Sequence, residues 1–150
     1  MNINDAVEHV RQFHEHIGAP VGDQARLLAY DEPLASRVAS DLALLHQKIL
    51  AQSGAGDLLM QRVGMLLEET EELIAAHLQR DLIAAADAVT DVLYVALGTA
   101  VCAGLPIADL FKEVHESNMT KEGDRGQLGK GLKGERYQPP DIRRWLRNHI

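Results

Sequence analysis

Cysteine and aromatic side chains are scarce in this chain, and each scarcity removes possibilities. One cysteine, Cys102, stands among 150 residues, so neither an internal disulfide framework nor a thiolate-built zinc site can hold the fold. Aromatics make up 4%, which leaves a core of Leu, Ala, Val and Ile, a set that suits helices. Net basic charge is missing as well: at −7 the chain has no general affinity for a nucleic-acid polymer. Met1 to Ile17 alternates polar and apolar residues without an apolar run, so no signal peptide is expected there and a cytoplasmic location is the default expectation. No internal repeat and no long low-complexity tract interrupts the pattern.

What remains is ordinary in amount, with 46% hydrophobic and 25% charged residues, and the length points to one domain spanning residues 1–150. The placement of the acidic residues is less ordinary. Glu68-Glu69-Thr70-Glu71-Glu72 and Asp87-Ala88-Val89-Thr90-Asp91 lie in apolar surroundings, although an ionised carboxylate is costly to bury without a partner.

From Leu58 to Gln79 the apolar residues recur at helical spacing, with Leu59, Val63, Leu66, Leu67, Leu73, Ile74 and Leu78 on one broad stripe. At about 100° per residue, Glu68, Glu69 and Glu72 share a different arc of roughly 100°. Glu71 falls outside it, beside Gln61 and Gln79, as the solvent-facing member. Met65 and Ala76 continue the acidic arc, so this helix is expected to bury two faces, one apolar and one acidic.

The next helix, about Leu82 to Ala103, is apolar all round and is expected to be central in a bundle. Asp87 and Asp91, spaced i,i+4, share a face with Tyr94. The apolar stretch after Asp91 is shorter than the ~20 residues of a membrane span, so no membrane association is expected. Gln79-Arg80-Asp81 is a tight connection; it implies an antiparallel hairpin that brings Glu68, Glu69 and Glu72 alongside Asp87 and Asp91.

Around this pair the pattern gives a helix over Ile3 to Ile17, ended by Gly18, Pro20 and Gly22. Another runs from Leu34 to Ala51, and a third follows Gly104-Leu105-Pro106 to about Ser117. Residues 122–134 hold five glycines without apolar periodicity and read as a loop. Asp141 to Ile150 reads as a short basic helix. The fold class is therefore all-α, an antiparallel bundle of about five helices with a glycine-rich basic loop and tail over 122–150. That tail, 121–150, carries +4 and the rest of the chain −11, an arrangement suited to an anionic, metal-bound substrate or to packing of the tail on an acidic surface.

Oxygen-only ligands suit hard cations, Mg²⁺ or Mn²⁺. The competing readings are a solvated acidic face, or structural pairing with Arg11, Arg62 or Lys121. His77, on the apolar stripe, reads as a satisfied core or interface histidine rather than a ligand.

Taken in order, Glu68-Glu69-x-x-Glu72 followed by Asp87 and Asp91 resembles the EExxE…ExxD signature of the all-α nucleoside triphosphate pyrophosphohydrolases, the MazG and dimeric dUTPase superfamily. The phosphoribosyl-ATP pyrophosphohydrolase-like subgroup is similar also in Val10-Arg11-Gln12-Phe13-His14, Asp91-Val92-Leu93-Tyr94-Val95, Glu113-Val114-His115-Glu116-Ser117-Asn118-Met119-Thr120-Lys121, and Leu132-Lys133-Gly134 leading to Tyr137-Gln138-Pro139-Pro140-Asp141. The resemblance implies hydrolysis of a (deoxy)nucleoside triphosphate to the monophosphate and pyrophosphate. It implies Mg²⁺ or Mn²⁺ bound by Glu68, Glu69, Glu72 and Asp87, with Asp91 a ligand or a partner to one. Glu69 would deprotonate or orient the attacking water, Asn118 and Lys121 would contact nucleotide or phosphate, and Lys133 and Tyr137 would form a lid. Two departures stand out: Ala84, or Ala88 if the register is counted from Asp91, occupies the position of an expected glutamate, and the 34–56 segment is longer than usual.

A non-catalytic nucleotide-binding module is the second reading, and a ferritin-like carboxylate protein the third; no Glu-x-x-His occurs on the acidic helices to support the latter. Two helices with two buried faces each are hard to cover within one chain of this size, so a homodimer or a dimer of dimers is expected.

Overall fold

The four longest helices each start where a short polar side chain accepts from a first-turn N–H. Asn2 and Asp5 form a reciprocal capping box at α1 (Ile3–Ile17). Asp31 accepts from Leu34 N at 2.7 Å to open α2 (Glu32–Gln52), and Asp57 accepts from Met60 N at 3.1 Å to open α3 (Leu58–Leu78). Asp81 accepts from both Ile83 N and Ala84 N at the start of α4 (Leu82–Cys102). Pro106 precedes α5 (Ile107–Asn118), and Asp141 caps the short α6 (Ile142–Leu146). Each such cap contributes about 1 kcal/mol. The computed structural model describes residues 1–123 and 129–147, and among them these helices are accompanied by no β-strand. The all-α reading holds, with boundaries within two residues of those expected from periodicity for α1 to α5; part of the expected tail, residues 124–128 and 148–150, lies outside the described residues.

The chain divides into two compact units. The first to be considered, residues 24–103, contains α2, α3 and α4. Here α3 is the middle helix, packed by α2 on one side and α4 on the other. This corrects the expectation that α4 is central. The reason lies in residue size: α4 turns small buried residues, Ala85 and Ala88, inward, and these permit close approach without supplying bulk. Its large apolar side chains point outward, with Ile83, Tyr94 and Val101 exposed by 84%, 77% and 80%. By length and composition alone α4 is the one helix among the described residues that could cross a membrane.

Arg80 turns the corner between α3 and α4 in the left-handed region, φ 56°. The segment before α2 is strapped to the end of α3 by His77. Its Nε2 accepts from Leu28 N at 3.1 Å, so Nδ1 carries the proton and donates to Leu73 O at 2.8 Å. Tyr30 Oη donates to His77 O at 2.9 Å. With both ring nitrogens engaged, His77 is the satisfied histidine its place on the apolar stripe suggests.

The other unit holds residues 1–23 and 104–150. α1 packs on α5, and α5 on α6. Gly18, at φ 74°, ends α1 in the left-handed conformation that favours glycine. Glu113 and Ser117 on α5, with Thr120 in the turn just after it, dock the C-terminal tail. Ser117 Oγ donates to Gln138 O at 2.7 Å, and Gln138 N donates to Thr120 Oγ1 at 2.9 Å. Glu113 accepts from Asp141 N at 2.7 Å and from Trp145 Nε1 at 2.9 Å. The glycine-rich loop is tied at its ends, since Glu122 and Leu132 exchange backbone hydrogen bonds of 2.9 Å in an antiparallel bridge.

Candidate active site

The α3–α4 hairpin places the two acidic segments side by side. Glu69 is the best measure of their proximity. Its pKa is raised above the ordinary carboxylate value by partial desolvation and then by the charges of Glu72, Asp91, Glu68 and Asp87, in that order. All five carboxylates therefore share one electrostatic neighbourhood, drawn from two antiparallel helices.

Their burial differs from the expectation. Glu68, Glu72 and Asp87 are exposed, and only Glu69 and Asp91 are half-buried. The acidic face opens outward because nothing in the 24–103 unit packs over it; α2 lies on another side of α3. Glu71 departs in the opposite sense. Expected in solvent, it faces α2, where Oε1 lies 3.2 Å from His46 Nδ1 and the side chain is 25% exposed. A wheel drawn for one helix cannot know which side a neighbour will take.

Among the described residues no basic group is ion-paired with the cluster of Glu68, Glu69, Glu72, Asp87 and Asp91. The candidates for structural pairing are occupied elsewhere: Arg11 sits 3.8 Å from Glu8, and Arg62 donates to Thr99 Oγ1 at 3.2 Å and Val95 O at 2.7 Å. Lys121 Nζ stands 5.7 Å above the Phe13 ring.

Uncompensated oxygen ligands from two facing helices fit a hard divalent cation in charge and chemistry. As arranged, no three acidic, histidine or cysteine side chains among the described residues converge tightly enough to hold an ion. Exposed carboxylates can rotate to close such a shell, and relief of their mutual repulsion favours it.

The four residues expected to contact nucleotide all belong to the other unit. Asn118 lines a small cavity of about 110 Å³ with Phe13, Phe111 and His115. Lys121 has its carbonyl held by His16 Nε2 at 2.7 Å and faces a groove shared with Thr120 and Arg136. Lys133 Nζ lies 5.0 Å over the Tyr137 ring, so the two lid candidates stack on each other. Beside them is a pair that sequence inspection passes over: the His9 and His115 rings stack at 4.3 Å and 9°. Burial and the neighbouring His9 push His115 below its ordinary pKa, against a smaller opposing pull from Glu116. The sequence carries only a faint hint of this pair, since His9 and His115 each fall at the edge of the apolar side of an amphipathic helix.

An all-α scaffold with two facing acidic helices sets out a carboxylate-rich candidate site. The chain belongs to the phosphoribosyl-ATP pyrophosphohydrolase family, whose profile matches residues 29–118. That family lies within the MazG-like all-α nucleoside triphosphate pyrophosphohydrolase superfamily. The match spans α2 to α5, including both acidic segments and Asn118; Lys121, Lys133 and Tyr137 lie beyond it. Searches of curated proteins and of solved structures find no match. Family membership indicates a pyrophosphohydrolase acting on a nucleotide-like substrate.

Proposed function

We propose that the chain is a Mg²⁺-dependent nucleoside triphosphate pyrophosphohydrolase, converting a (d)NTP and water to the (d)NMP and diphosphate, with Mn²⁺ able to replace Mg²⁺. The observation that carries this reading is the uncompensated carboxylate cluster around Glu69. Glu68, Glu69, Glu72 and Asp87 would hold the cation, with Asp91 as a further ligand or a partner to one. When bound, the cation would neutralise phosphate charge and polarise the attacking water.

Glu69 is the candidate base. A carboxylate whose pKa is raised accepts a proton more readily than an ordinary one, which favours taking it from water as the phosphoanhydride bond breaks. Asn118, Lys121, Lys133 and Tyr137 are proposed to orient the nucleotide, the lysines by charge on the phosphates and Tyr137 by its ring. dUTP and other non-standard nucleotides are the first substrate class to test, and a cytoplasmic location without nucleic-acid polymer or membrane partner fits such a role.

The outward apolar face of α4 is proposed to pack against a second copy, giving a homodimer or a dimer of dimers. Asp87 and Asp91 within α4 argue for protein rather than lipid on that face.

A substrate panel run with Mg²⁺, with and without chelator, tests the assignment. Pyrophosphate release that the chelator abolishes supports it; inactivity on every common triphosphate, or release of single phosphate, sinks it. Ala84 favours one other reading, a nucleotide-binding module without turnover, because it leaves the site one carboxylate short. Metal-dependent nucleotide binding without product would select that alternative.

A further inference from the structure

We infer that Arg62 is a positioning residue that sets the register of α3 against α4, and with it the placing of the carboxylate cluster. This rests on the metal-site reading above. Arg62 precedes Glu69 by seven residues, so the two lie on the same face of α3, about two turns apart. Across the seam its guanidinium donates to Val95 O at 2.7 Å and Thr99 Oγ1 at 3.2 Å. Val95 and Thr99 follow Asp91 by one and two turns along α4. Arg62 thus grips the same strip of α4 that presents Asp91 to Glu69.

Among the described residues these are the only side-chain hydrogen bonds that cross from α3 to α4. The buried side chains of these two helices are all small, Ala76 on α3 with Ala85, Ala88 and Ala100 on α4. Small, smooth surfaces approach closely but do not oppose sliding. A slip of one residue moves a helix by about 1.5 Å, three times the roughly 0.5 Å within which a ligand set has to be held. A two-point polar pin removes that freedom.

The seam is shaped to receive the pin. A Cβ at Gly98 would lie 2.6 Å from a terminal nitrogen of Arg62, so this helix-interior glycine leaves the space the guanidinium fills. No carboxylate lies within ion-pair distance of Arg62 among the described residues. Its partners are a carbonyl and a hydroxyl, which fix direction as well as distance.

The test uses Mn²⁺ as the probe, with affinity read by calorimetry beside the thermal midpoint and the steady-state constants. Arg62→Met removes the pin, whereas Gly98→Ala pushes the guanidinium aside while improving helix propensity. Both variants should lose tenfold or more in Mn²⁺ affinity, and Gly98→Ala should do so without a lower midpoint. Arg62→Lys, which keeps one donor, should recover part of the loss. Val63→Ala is the control: it should lower the midpoint and leave Mn²⁺ affinity unchanged. Wild-type affinity in both Arg62→Met and Gly98→Ala overturns the inference and leaves the metal site standing. A loss in Val63→Ala matching that in Arg62→Met overturns it equally. Absence of Mn²⁺ binding by the wild-type chain overturns the metal-site reading itself, and this inference with it.

Discussion

Nδ1 of His46 lies 3.2 Å from Oε1 of Glu71, joining α2 to α3 through a pair whose side chains are 16% and 25% exposed. The approach falls outside hydrogen-bonding geometry, and the carboxylate oxygen has no hydrogen-bond partner, so the contact is an ion pair whenever His46 carries a proton. Glu71 therefore serves the packing of α2 and stands apart from the four glutamates and aspartates around Glu69.

Glu71→Gln should leave metal binding and turnover intact while lowering stability by about 0.5–1 kcal/mol, the scale of a partly exposed pair. A double-mutant cycle with His46→Ala, followed by denaturant unfolding, measures the coupling.

Glu69→Gln should separate activity from stability. Turnover should fall by at least about 10²-fold, the usual contribution of a general base. The metal-free protein should instead melt at a higher temperature, because a charge repelled by Glu72, Asp91, Glu68 and Asp87 has been removed. Asp87→Asn should likewise abolish turnover. A midpoint for Glu69→Gln below wild type in chelator would contradict the crowding of charge described here.

His115 makes the 1–23 and 104–150 unit sensitive to acid. Its pKa is lowered in the folded chain, so the unfolded chain binds the proton first as pH falls. The stability this gives is complete above the unfolded value of 6.5 and is lost as pH drops through the lower folded value. His115→Gln should flatten that acid limb. Amide exchange of α1 and α5, followed across the range, provides the readout.

Glu113 gives a second, separate limb. Its hydrogen bonds with Trp145 and Asp141 lower its pKa, so the stability this gives is complete above the ordinary glutamate value of 4.5 and is lost as pH falls through the lowered one. Glu113→Gln can keep at most one good acceptor, and it should loosen the tail at neutral pH. Trp145 is the sole tryptophan, so its fluorescence reports this release directly.

Much of this arrangement is legible in the residues themselves. Helical periodicity places the helices, and the short Gln79–Asp81 turn brings the acidic segments together. What periodicity withholds is which neighbour covers which face. α4 is apolar all round, yet alanine on one side lets it lie against α3 and leaves Ile83, Tyr94 and Val101 outside. Glu71 looks solvent-facing until α2 arrives with His46. Arg62 reads as a possible salt-bridge partner for the carboxylates until Gly98 opens a space for it across the seam.

The proposed packing of a second copy on Ile83, Tyr94 and Val101 would make the behaviour of this protein depend on how much of it is present. Hydrophobic area of that kind is worth about 25 cal/mol for every Å² removed from water, a gain realised only when molecules meet. Dilution should therefore soften the fold, and crowding a vessel with more of the same chain should harden it.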